Sequence, residues 1–146
     1  MRLTLIITTY NWPESLVLVL KSIQSQTIIP DEVIIADDGS TVETKAVISM
    51  FQKDSDLNII HSWQEDKGFR AAKSRNKAIV KSKSEYIILV DGDMILHHKF
   101  IQDHIKNAQA NYFVQGSRVL LTEDKSKKIL DIGKIDFSFF SSGLKN

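Results

Sequence analysis

The sequence predicts an α/β protein built on a mostly parallel sheet with helices on both faces. Two observations carry that prediction. Short β-branched apolar runs recur along the chain, and longer stretches of helical period separate them. The runs are residues 3–7 (LTLII), 32–36 (EVIIA), 58–60 (NII) and 86–90 (YIILV). Each is continuously apolar enough to be buried on both faces, as parallel strands are.

Between the runs, apolar residues return at helical spacing. Leu16, Val19, Leu20 and Ile23 form the first stripe, and Val47, Ile48 and Phe51 the second. Phe69, Ala72, Asn76 and Ile79 form the third, which turns Arg75 and Asn76 inward; Ile101, Ile105 and Ala108 form the fourth. Helix starts are marked as well. Ser40 with Glu43 matches a capping box, and Asn11 reads as a cap followed by Pro13 in the first turn. Strand–helix–strand repetition with short connections gives right-handed crossovers and four parallel strands.

The end of the chain follows a different pattern. Residues 112–121 (YFVQGSRVLL) read as a strand with a glycine break, and residues 122–128 (TEDKSKK) as a charged surface loop. An aromatic cluster at Phe137, Phe139 and Phe140 is expected to pack on something outside the chain.

Composition sets limits. A chain of 146 residues suits one domain of roughly 100–200 residues. Its 42% hydrophobic and 25% charged residues exclude a disordered or collagen-like chain. With 19 basic against 18 acidic residues, bulk attraction to nucleic acid is excluded and anion binding must be local. The absence of cysteine excludes thiolate chemistry and fits the cytosol. No stretch approaches the roughly 18 apolar residues of a membrane span, and the N-terminus is no signal peptide. A cytoplasmic protein is expected, with peripheral association at the inner membrane face and self-association left open.

Ligands of an open α/β sheet gather outside the carboxyl ends of its strands. The residues placed there are Thr8, Tyr10 and Asn11; Asp37, Asp38 and Gly39; residues 64–68; and Asp91, Gly92 and Asp93. Asp91 and Asp93, separated by glycine after a buried run, make a compact oxygen set for Mg²⁺ or Mn²⁺. One of the carboxylates of Asp37 and Asp38 is placed to accept hydrogen bonds from a base or ribose. Residues 66–79 (DKGFRAAKSRNKAI) bring Lys67, Gly68 and Arg75 to a helix start, where free N–H groups, the dipole and a forked guanidinium suit a diphosphate. Lys73 and Lys77 read as a solvated face. His97, His98 and His104 read as surface residues near a helix start, and His61 stands in no motif.

Taken in order, TTYN with Glu14, ADDGS, DKGFRAAKSRNKAI and YIILVDGD resemble the family-two glycosyltransferases of the A-type, Rossmann-like fold, over roughly the first 115 residues. Residues 63–121 are further similar to the subgroup that includes the first domain of chondroitin polymerase and other surface-polysaccharide transferases. The resemblance implies an inverting, metal-dependent transfer from a UDP-sugar to a saccharide or glycolipid acceptor. It implies that Thr8, Tyr10 and Glu14 surround base and ribose, that Asp38 accepts from the base, and that Gly68 and Arg75 face the diphosphate and sugar. Asp91 would touch ribose or sugar, and Asp93 would hold Mn²⁺ or Mg²⁺.

One departure stands out. The family's general base lies in a later acidic segment, and here Glu123-Asp124 sits inside the charged stretch, so the catalytic base is unassigned. Residues 1–146 are therefore expected to form a single nucleotide-sugar-binding domain, a truncated one lacking its acceptor-binding part. A sugar nucleotidyltransferase would need a glycine- and arginine-rich loop where TTYNWPES stands. A dehydrogenase would need GxGxxG there, and a P-loop ATPase GxxxxGK[ST]. The remaining alternative is a non-catalytic nucleotide-binding or scaffold domain.

Overall fold

In a computed structural model that describes residues 1–135 and 142–145, the four apolar runs are adjacent parallel strands. They are β1 (Leu3–Thr9), β2 (Glu32–Asp37), β3 (Ile59–Trp63) and β4 (Tyr86–Asp91), in the order β3-β2-β1-β4. Register runs Thr8 beside Ala36 on one flank of β1 and beside Asp91 on the other, so the carboxyl ends finish level. The crossovers are α1 (Pro13–Gln24), α2 (Val42–Asp54) and α3 (Ala71–Lys81), and α4 (Phe100–Asn107) follows β4.

The sheet is a two-faced core. Leu3, Leu5 and Ile7 of β1, Val33 and Ile35 of β2, and Ile88 and Val90 of β4 pack with Leu16, Leu20, Ile48 and Ile101 from α1, α2 and α4. Ile6, Ile34 and Ala36 face the other way, onto Ala78 of α3. Central strands buried on both faces are apolar at most positions, and the buried polar pair Thr4 and Glu32 bond to each other at 2.8 Å, which is why β1 and β2 are legible as near-continuous runs. β4 departs from that expectation. α3 lies across β1, β2 and β3, so Leu89, on the α3 side of the outer strand, stays 48% exposed.

Three local expectations are corrected. The inward stripe of α3 is Ser74 and Ala78 rather than Ala72 and Asn76; Asn76 is exposed, Arg75 half-buried, and Phe69 points fully to solvent. Small side chains win because α3 rests directly on the sheet. Ser40 and Asn11 do not cap their own helices. α1 starts after Trp12 and α2 after Thr41, whose amide donates to Asn11 Oδ1 at 2.8 Å, while the Asn11 amide donates to Ser40 Oγ at 2.9 Å. The two turns thus exchange hydrogen bonds across the edge, a tertiary choice that local propensity could not reveal.

The chain's end is also rearranged. Of residues 112–121 only β5 (Leu120–Leu121) is a strand, paired antiparallel with β6 (Leu144–Lys145); Tyr112 and Phe113 lie exposed. The charged stretch is helix α5 (Glu123–Ile132), not a loop, with Thr122 capping its start and Gly133 closing it at φ 65°. Lys21 of α1 donates to the Gly133 carbonyl at 2.6 Å. Phe137, Phe139 and Phe140 lie outside the described residues. No helix among the described residues is long and apolar enough to cross a membrane.

Candidate functional site

The turn after β2 is sealed by its neighbours. Asp37 is fully buried; its Oδ1 accepts the amides of Gly39 and Ser40, and its Oδ2 meets His61 Nε2 at 2.8 Å. Burial pushes the Asp37 carboxyl up, but the hydrogen bonds from His61 and Ser40 outweigh it and hold it below the ordinary carboxylate range. Asp37 is therefore architecture. Asp38, 4% exposed, accepts Gln64 Nε2 on Oδ1 and the Arg70 amide on Oδ2, both at 2.6 Å. A carboxylate thus already meets the start of α3, the helix end that the sequence offered to a diphosphate.

Residues 64–70 are locked onto this turn. The Gln64 amide donates to the Asp37 carbonyl at 3.2 Å, and the Arg70 guanidinium donates to the Glu65 carbonyl. A Cβ on Gly39, at φ 103°, would stand 2.5 Å from Asp66 Cα, so only glycine fits under the loop. Tyr10, 52% exposed, donates its hydroxyl to Asp66 Oδ2 at 2.9 Å. That bond and the Asp66 charge, with a smaller push from Asp38, raise the phenol above its ordinary value. Lys67 pairs with Glu65 at 2.8 Å, both exposed, and the Gly68 amide donates to Asp66 Oδ1 at 3.1 Å. Arg75 makes no hydrogen bond or ion pair among the described residues.

The turn after β4 is open. Thr8 Oγ1 donates to Asp91 Oδ1 at 2.9 Å, Ser15 Oγ to the Gly92 carbonyl at 2.9 Å, and the Met94 amide to the Asp91 carbonyl at 3.2 Å. A Cβ on Gly92 would stand 2.6 Å from the Thr8 carbonyl oxygen, so a side chain there would push the turn off β1. Asp91 and Asp93 are exposed, and Asp93 carries no partner among the described residues. Glu14 is exposed in the first turn of α1.

No group of three or more His, Cys, Asp or Glu converges on a metal position among the described residues. Two neighbouring carboxylates, one of them unpartnered, still suit Mg²⁺ or Mn²⁺, which are held through one or two carboxylates plus substrate phosphates. The histidines stand apart from this. His97 and His98 are exposed, their rings in tilted contact with centroids 4.2 Å apart. His104, expected at the surface, is 8% exposed between Phe100 and Tyr86, and burial, partly opposed by Asp103, holds it below its ordinary value.

The structure thus joins Thr8 to Asp91, Asn11 to the Ser40–Thr41 turn, and Tyr10 to the loop carrying Lys67 and Gly68. Asp38 and the Asp91-Gly92-Asp93 turn follow the two strands that flank β1. Sequence reasoning placed Gln64 and Asp66 at this edge without a role of their own, and found no motif around His61. An aspartate two residues before glycine is a turn signal that marks Asp66; the other two carry no local signal.

The sequence profile described as Glycosyl transferase family 2 matches residues 4–141. Hyaluronan synthase of Pasteurella multocida is 32% identical over 104 residues, 70% of this chain and 10% of that protein. Chondroitin synthase of Escherichia coli is 32% identical over 105 residues, 71% of this chain and 15% of that protein. The chain therefore spans a small fraction of these relatives. S. aureus TarS 1–349 in complex with UDP shares the fold with a TM-score of 0.62 at 25% identity, covering 73% of this chain and 31% of that one.

Proposed function

The chain belongs to glycosyl transferase family 2, and on that premise we propose that it binds the donor in an inverting, divalent-metal-dependent transfer from a UDP-sugar to a saccharide or glycolipid acceptor. The observation that carries the reading is the level strand edge. A sealed turn holding Asp38 and an open turn holding Asp91 and Asp93 lie on either side of β1. UDP bound to a neighbour of the same fold, and relatives named as hyaluronan and chondroitin synthases, support it.

The roles follow from the bonds. Asp38 has one protein donor on each oxygen, which leaves a lone pair for an N–H of the base. Tyr10 has given its hydroxyl to Asp66, so its contribution to the base is the ring face. Thr8 orients Asp91 toward ribose or sugar, with Asn11 and Glu14 lining the same end. Gly68, Arg75 and, on leaving Glu65, Lys67 supply the diphosphate side. Asp93 and Asp91 would hold Mn²⁺ or Mg²⁺, which when bound offsets charge on the departing diphosphate. Glu123 and Asp124 stand exposed in the first turn of α5, where they complement the helix dipole, and no residue of this chain is assigned as the base.

Calorimetric titration with UDP, with and without Mn²⁺, tests the reading. UDP binding that requires the metal, with slow hydrolysis of a UDP-sugar, is expected. No heat under either condition would favour a scaffold domain.

A further inference from the structure

Asp66 touches three parts of the edge at once. Its two oxygens accept the Tyr10 hydroxyl at 2.9 Å and the Gly68 amide at 3.1 Å. Its backbone rests on Gly39, where an added Cβ would stand 2.5 Å away. Gln64 and Arg70, on either side of it, are both bonded to Asp38. The backbone of Asp66 is therefore fixed before its carboxylate meets Tyr10. Tyr10 differs: it is half exposed, and this bond is its side chain's hydrogen-bond tether to another part of the fold.

We propose that Asp66 is a positioning residue for the donor nucleotide, fixing the Tyr10 ring as a platform for the base and tying it to the Gly68 turn on the diphosphate side. The inference rests on reading this edge as a nucleotide site. It adds a division of labour: the phenol is spent on the protein, so Tyr10 orders the base by stacking, and Asp38 is left to discriminate among bases.

The test uses UDP with Mn²⁺ as the probe and the whole 146-residue chain. Asp66→Ala and Tyr10→Phe should each weaken UDP about five- to tenfold, and the double variant should be no weaker than either alone. Asp66→Asn keeps one acceptor, enough for the phenol but not for the Gly68 amide as well, and should recover part of the affinity. An alkaline absorbance titration gives the second readout. The tyrosine identified through Tyr10→Phe should ionise above the ordinary phenol range, and at lower pH in Asp66→Asn. Multiplying losses in the double variant, unchanged UDP affinity in Asp66→Ala, no recovery in Asp66→Asn, or a phenol indifferent to residue 66 would each overturn the proposal. A wild-type chain that binds no UDP sinks the transferase reading first, and the positioning role with it.

Discussion

Asp37 and Asp38 after β2, and Asp91 and Asp93 after β4, are both acidic pairs at strand ends, yet the fold treats them in opposite ways. Each oxygen of Asp37 and Asp38 meets a protein donor, and both side chains are buried. Asp91 accepts one hydroxyl, Asp93 has no partner among the described residues, and both are exposed. Hydrogen-bonded burial makes the first turn rigid before any ligand arrives. Solvent keeps the second turn's charge available to a cation and phosphates. The same residue type thus serves as architecture on one side of β1, where Asp38 alone keeps a lone pair for the proposed base contact, and as a proposed cation ligand on the other.

Paired substitutions would break that contrast most sharply. Asp93→Ala is expected to weaken UDP about a hundredfold in Mn²⁺, by loss of a cation ligand, while shifting unfolding stability by less than about 0.5 kcal/mol. Equal UDP affinity by calorimetry would remove the metal assignment. Asp38→Ala should do the reverse in stability. It strands the Gln64 amide and the Arg70 N–H in a buried turn, for a loss of about 2–3 kcal/mol in urea unfolding. It should also blunt discrimination between UDP and GDP; intact discrimination would place the base contact elsewhere.

Acid sharpens the comparison further. The Asp37 carboxyl lies below its ordinary value in the folded protein, so its contribution to stability is complete above about pH 4 and is lost as pH falls through the lowered value. His104 also lies below its ordinary value, so its contribution is complete above about pH 6.5 and declines on acidification below that. Asp37→Asn should flatten the stability profile in the lower window and leave the upper one. A profile unchanged below pH 4 would deny Asp37 its role. The smallest effect is expected at Ser15→Ala, which frees the Gly92 carbonyl: about 1 kcal/mol of stability and a two- to threefold loss of metal-dependent UDP affinity. A change in stability alone would show that α1 does not steer the open turn.

Legibility in the sequence followed the range of the forces involved. β1 and β2 could be read because strands buried on both faces are mostly apolar, and their buried Thr4 and Glu32 hydrogen-bond to each other. The gathering of Thr8, Asp38 and Asp91 at one edge followed from parallel strands alone. α5 was missed although Thr122 and Gly133 bracket it, because its charged first half hid a single buried residue, Ile129. The α3 stripe was misjudged because Ser74 and Ala78 are small enough for close approach, which apolar periodicity does not score. His61 carried no motif because its partner, Asp37, is supplied by the neighbouring strand.

The sequence by itself determined the strands, their parallel course and which polar residues reach the ligand edge, because hydrophobic period and strand direction are local properties. The tertiary structure alone decided which of those residues bond to each other. Asp37 to His61, Asp38 to Gln64 and Arg70, and Tyr10 to Asp66 are contacts between different strands and the segments that follow them. Their partners stand 24 or more residues apart, and only sheet order and register bring them within a hydrogen bond's reach.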